Sequence, residues 1–203
     1  MRYLLTAILF LPITFLGQTS KDWGAFTQSI DVKSFAGKKF KLQAAVKVQP
    51  IDTSAEAALW ARVDKPDKKM GFFYNMRDKP IRVKDWQTFT IEGKIDSDAE
   101  HLTFGGLYYR RGLFFFDNFR LFVETSKNGF EEINIPAGDF ETDSLRPYWI
   151  YYSKINGFST AVTTESAFTG QKSIKVDGSE FKLPVAFGSN DTAGNYANVN
   201  GVK

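Results

Sequence analysis

The sequence predicts an all-β protein, an antiparallel β-sandwich, and three observations carry that prediction. Apolar and polar residues alternate in run after run between Lys21 and Val123. These runs recur about every ten residues with turn residues between them. No stretch in that span keeps the i, i+3, i+4 apolar spacing of a long helix. The densest stretch is Phe104 to Val123, FGGLYYRRGLFFFDNFRLFV, aromatic on both sides of a single break at Arg110-Arg111-Gly112. It reads as a β-hairpin whose arms lie in the middle of the sandwich, with the Gly-containing turn at its tip and the earlier strands as partners.

Taken in order, Trp23 to Asp31 is a weak first strand, and Ser34 to Lys38 turns the chain. Lys39 to Val48 sets Phe40, Leu42, Ala44, Val46 and Val48 against Lys39, Lys41, Gln43, Ala45 and Lys47, the period of a half-buried strand. Ala57 to Asp64 places Leu59, Ala61 and Val63 on one face and Trp60, Arg62 and Asp64 on the other. Trp beside Arg on a polar strand face is either a local stacking pair or part of a binding surface. A loop through Pro66 leads to Gly71 to Met76, and Arg77 to Ile81 closes it. Trp86 to Ile95 alternates again, an acidic turn follows at Asp96 to Glu100, and His101 to Tyr109 begins the aromatic stretch.

Beyond Thr125 the runs shorten. Phe130 to Ile135, Tyr148 to Tyr152, Ser159 to Thr164, Gln171 to Val176 and Phe181 to Phe187 are further strand candidates, punctuated by Asn128-Gly129, Gly170 and Asp177-Gly178. The organisation read from this is a leader at 1–20, a β-sandwich module at 22–124, added strands at 125–187, and a linker with the start of a further domain at 188–203. The strands of 125–187 either complete the first sandwich or open a truncated second module. Completion is preferred, because about 60 residues alone bury too little surface.

Composition bounds the function. Aromatic residues make up 16% of the 203 residues and hydrophobic ones 43%, enough to fill a core. Met1 to Ser20 carries one basic residue, Arg2, and an apolar run from Leu4 to Leu16, the pattern of a secretory signal peptide that is too short for a stable span. The expected location is therefore secreted or periplasmic, with no membrane span after cleavage. The absence of cysteine excludes disulfides, thiolate zinc sites and a lipid-modified N-terminal Cys. A net charge of +3 without a basic stripe argues against nucleic acid.

Chemistry is equally bounded. The sequence has no G-x-S-x-G pentapeptide, no P-loop and no G-x-G-x-x-G. His101 is the sole histidine and reads as a surface or sheet-edge residue, and one His without Cys cannot build a zinc site from those types. Gly105-Gly106 is explained by close packing or a bulge. A carboxylate pair for glycoside hydrolysis is open to any such chain and carries no specific signal. Binding remains. Sugars are held by aromatic platforms flanked by Arg, Asn and Asp. The candidates at outward strand positions or at the hairpin tip are Trp60, Arg62, Tyr74, Asn75, Tyr108, Tyr109 and Arg110. Each is also explained by filling or flanking a core.

The series SFAGKKFKLQAAVK, ALWARVD, GFFYNMRDKPI, DWQTFTIEGKID, AEHLTFGGLYYRRG and FFFDNFRL resembles the carbohydrate-binding-module-like, galactose-binding-type jelly roll found ahead of secreted bacterial hydrolases and peptidases, especially in the Bacteroidetes. The resemblance covers about Gly24 to Glu124 and implies a non-catalytic accessory role, with carbohydrate or a cell-surface glycan as partner. The family's early pieces, a GxFE-like strand, a Trp segment and a G-x-x-S strand, come late here, at Gly138 to Glu141, Trp149 and Gly170 to Ile174. The resemblance requires no cofactor, but it implies a structural calcium between the FE strand and an acidic strand, with Asp117 and Glu141 as ligands and Asn118 where a second carboxylate is usual. The tail YANVNGVK resembles the opening strand of an α/β-hydrolase. This leaves the alternative that the chain is the N-terminal portion of a secreted serine hydrolase.

Overall fold

Alternation places one side of each strand in a shared interior, and two such sides facing each other make a sandwich. The computed structural model describes residues 22–126, 129–151 and 157–181, and in them the chain is an all-β sandwich of two antiparallel sheets. The strands are β1 (Trp23–Asp31), β2 (Lys39–Pro50), β3 (Glu56–Asp64), β4 (Met70–Tyr74), β5 (Gln87–Lys94), β6 (His101–Tyr109), β7 (Gly112–Ser126), β8 (Gly129–Ile133), β9 (Trp149–Tyr151), β10 (Ser159–Thr163) and β11 (Ser173–Asp177). One sheet runs β4-β3-β6-β1-β9; the other runs β10-β11-β7-β2-β5, with β8 also paired to β7.

The apolar sides predicted for β2 and β3 are the buried ones: Phe40, Leu42, Ala44, Val46 and Val48, and Leu59, Ala61 and Val63. The interior is largely aromatic. Phe26 of β1 meets Phe116 of β7 edge-on at 4.9 Å, and Tyr108 of β6 lies 5.9 Å from Phe114. Such pairs add about 0.5–1.5 kcal/mol each beyond the area they bury. The two adjacent glycines allow close packing, as the sequence implied: Gly105 against the neighbouring strand β1 and Gly106 against rings of the interior. A Cβ at Gly105 would come 2.0 Å from the carbonyl oxygen of Phe26, and one at Gly106 would come 2.6 Å from the Phe26 ring and 2.7 Å from the Phe116 ring.

The predicted hairpin is not formed. β6 pairs with β1 and β3 in the first sheet, and β7 pairs with β2, β8 and β11 in the second, so Arg110-Arg111 carries the chain from one sheet to the other. The edges of β6 are taken by β1 and β3, and those of β7 by β2 on one side and by β8 and β11 on the other. The arms therefore face one another across the interior instead of lying edge to edge. Arg110 makes the reversal at φ 67, left-handed backbone supplied by an arginine and not by the neighbouring glycine.

The later strands join the earlier ones: β9 pairs with β1, β8 with β7, and the β10–β11 pair with β7. Along β7, β11 reaches Phe116 and β8 starts opposite Leu121. Between them β7 carries a bulge, with Asn118 and Phe119 facing the single residue Ala44 and Asn118 at φ 52. Gly138 to Glu141, expected as a GxFE-like strand, is a turn and its exit. Its Phe140 is buried against Tyr148 at 5.1 Å and Phe119 at 6.1 Å. The leader and the YANVNGVK tail lie outside the described residues. Of the strand expected at Phe181 to Phe187, only Phe181 is described, buried and stacked on Phe158 at 5.2 Å.

Candidate functional site

The two outer faces of the sandwich differ. On the six-stranded sheet Phe115 lies beneath Lys47 and Lys175, Phe122 beneath Arg120 and Phe130 beneath Lys41, and Trp86 packs against Phe115 with Phe168 beside it. Lysine and arginine stems close that face. The outer face of the five-stranded sheet is open and concave, with a cleft of about 380 Å³, within the size range of small-ligand sites.

Side-chain size along the strands makes the concavity. The floor comes from the central strands β1 and β6 and is low: Ala25, Thr27, Thr103 and Leu107, with Gly105 among them. The walls stand on the outer strands. Trp60, Arg62 and Phe73 rise from β3 and β4 with Asn75 just beyond, and Tyr151 rises from β9. Trp23, Tyr109 and Arg77 close one end. The register explains the grouping. Tyr151, Ala25, Leu107 and Ala58 share one cross-strand row; Trp149, Thr27, Gly105 and Trp60 share the next. From β3 to β9 is three strand spacings, about 14 Å, with the short residues between the tall ones.

Polar groups at the rim are held in place. Arg62 donates from Nε to Asp64 Oδ1 at 2.6 Å and from a terminal nitrogen to Oδ2 at 3.3 Å, and its guanidinium lies 5.9 Å from the Trp60 ring centroid. Thr103 Oγ1 donates to the same carboxylate, which fixes Asp64 in turn. Arg77 lies 5.2 Å over the Tyr109 ring. Burial pushes the Tyr109 phenol up to about 12, against an opposing pull from Arg77, so the ring is neutral at physiological pH. The Trp60 indole nitrogen is buried without a hydrogen-bond acceptor among the described residues. The lining has stacking faces and donors but no Asp, Glu, His, Ser or Lys.

Four of the seven residues expected to contact ligand, Trp60, Arg62, Asn75 and Tyr109, come together here. The other three do not. Tyr108 is fully buried between the sheets, because neighbours on a strand point to opposite faces and Tyr109 takes the outward one. Tyr74 packs partly against the core and donates its hydroxyl to Asp78 at 2.8 Å, while its neighbour Phe73 faces the cleft. Arg110 is tied to Asp22 at 3.0 Å in the crossing link, outside the cleft. Sequence reading missed Trp23, Phe73, Arg77 and Tyr151. Their alternation was visible, but their convergence depends on which strands become neighbours.

Asp117 and Glu141 fit a structural calcium poorly. Asp117 is buried and accepts from the backbone N–H of Asn118 at 2.6 Å, Phe168 at 2.8 Å and Thr169 at 3.0 Å. Glu141 Oε1 accepts from the N–H of Gln171 and Lys172, both at 2.9 Å. These oxygens already face backbone donors, Asn118 on β7 and the 168–172 loop, whereas calcium takes six to eight oxygens at one point. No group of three or more His, Cys, Asp or Glu able to hold a metal occurs among the described residues. Burial pushes the Asp117 carboxyl up; the amides of Lys172 and then Gln171 hold Glu141 down.

No family model matches the sequence, and no curated protein matches it.

Proposed function

We propose that this protein is a secreted, non-catalytic accessory module of the carbohydrate-binding, galactose-binding-like jelly-roll kind, which binds glycan in the cleft on the outer face of its five-stranded sheet. The leader pattern of Met1 to Ser20 supports export to the periplasm or beyond. The single observation that carries the reading is the arrangement of tall aromatics, Trp60, Phe73 and Tyr151, around a floor of short side chains. A pyranose ring presents an apolar face to such platforms and hydroxyls to planar donors at the rim, here Arg62, Asn75 and Arg77.

The test is affinity electrophoresis of the mature protein in native gels cast with a panel of polysaccharides. Retardation by at least one polymer is expected, with Trp60→Ala weakening it about tenfold while the far-ultraviolet spectrum stays unchanged. A protein that migrates freely through every polymer overturns the reading.

A further inference from the structure

Resting on the glycan-binding reading above, we propose that the cleft takes the end of a glycan chain and not an internal stretch: the terminal sugar lodges over Ala25 and Leu107, and the next unit passes over Thr27 and Gly105 between Trp60 and Trp149. The order of side chains along the two central strands points there. Every second residue of β1 and β6 faces the cleft, and the register sets these residues in pairs: Trp23 with Tyr109, Ala25 with Leu107, Thr27 with Gly105, Ser29 with Thr103. The first pair is tall and aromatic, and the others are lower. Tyr109 is only 6% exposed and lies beneath Arg77, so this end is packed in place. At the opposite end Ser29 is exposed, and its neighbours across the strands are Thr103 and then Arg62. The groove is shut at one end and open at the other.

The walls continue toward the open end. Tyr151 and Trp149 stand two residues apart on the cleft side of β9, opposite Ala25 and Thr27. Trp60 stands at the far side of the row that begins with Trp149, and only Thr27 and Gly105 lie between the two indoles. Trp149 is 71% exposed, a broad apolar face free to cover a ring that lies beside it. The enclosed volume agrees. At about 380 Å³ the cleft is near the lower end of the range for small-ligand sites, about 300–1,000 Å³, which suits a short chain end and not a long run of sugars. A bound chain leaves past Ser29, whereas an internal stretch would also have to leave through Trp23 and Tyr109.

The test uses the mature protein with xylan, mannan, galactan and mixed-linkage β-glucan, each intact and after partial acid hydrolysis, which multiplies chain ends at constant mass. Titration calorimetry counts binding sites per gram of polymer, and affinity electrophoresis follows the strength of binding. For at least one polymer, sites per gram are expected to rise in proportion to the chain ends at unchanged affinity per site. Trp149→Ala is expected to weaken binding of that polymer about fivefold and to leave competition by its free monosaccharide unchanged. A melting curve of the variant reports whether the fold is kept. Sites per gram that stay constant on hydrolysis overturn the chain-end proposal and leave glycan binding standing. A Trp149→Ala protein that binds the polymer as tightly as wild type overturns the path assigned to the second sugar. Failure to bind any polymer, intact or hydrolysed, overturns both readings.

Discussion

Tyr108 and Tyr109 are sequence neighbours on β6 with opposite roles: the first fills the interior against Phe114 and Phe158, and the second forms one end of the outer cleft under Arg77. Tyr108→Ala is expected to cost about 3–5 kcal/mol of unfolding free energy, as large aromatic truncations in cores do. Urea denaturation checks this, and a midpoint unchanged from wild type contradicts the placement.

Tyr109→Phe keeps the ring and is expected to stay within about 0.5 kcal/mol of wild type at neutral pH. At alkaline pH the two proteins part. The folded phenol ionises near 12 and the unfolded one near its ordinary 10.0. Its contribution is complete below 10 and is lost as pH rises toward 12. Thermal melts of both proteins across that range should show wild type losing more than the variant.

Gly105→Ala is expected to cost about 1–3 kcal/mol, because the new methyl meets the backbone of Phe26, which cannot swing aside as a side chain could. A denaturation midpoint as high as wild type would mean that β1 and β6 are not so closely set.

Chelation and acid test the loop that Asp117 and Glu141 hold. Excess EDTA or added calcium is expected to leave the melting temperature unchanged, because the carboxylate oxygens already accept backbone N–H groups. A clear upward shift with calcium counts against this account.

The two acids respond to pH with opposite sign. Glu141 has a folded value below its ordinary 4.5, so its contribution is present above 4.5 and fades as pH falls through the lowered value. Asp117 has a raised value, so its protonation on acidification favours the fold. Glu141→Gln removes the first effect and, with the Glu141 charge gone, also eases part of the upward push on Asp117. The melting difference between wild type and this variant, present at neutral pH, should narrow as pH falls below 4.5; a gap that never narrows down to the acid unfolding of the variant refutes the assignment.

Strand positions were legible because burial on one side of a sheet writes a period of two into the sequence, clearest at Phe40 to Val48 and Leu59 to Val63. Strand partnership was not. A short turn-like link between two apolar runs reads the same whether the chain folds back within a sheet or crosses to the other, and at Arg110-Arg111 it crosses. Half of the cleft followed from local pattern: Trp60 and Arg62 lie on the side of β3 opposite Leu59 and Val63. The rest, Trp23 and Tyr151 above all, became neighbours only through pairing across β1, β6 and β9. Parity lets only one of Tyr108 and Tyr109 face outward, and it is the structure that makes it Tyr109.

The crossing at Arg110-Arg111 also governs how the chain reaches this state. β6 and β7 find no partner in each other, so the central pairings, β1 with β6, β2 with β7 and β3 with β6, join segments far apart along the chain. Loop closure must precede their reward, which places such a topology among slow folders, on the order of milliseconds to seconds. Under the proposed export, that delay would keep the chain threadable until it has crossed the membrane.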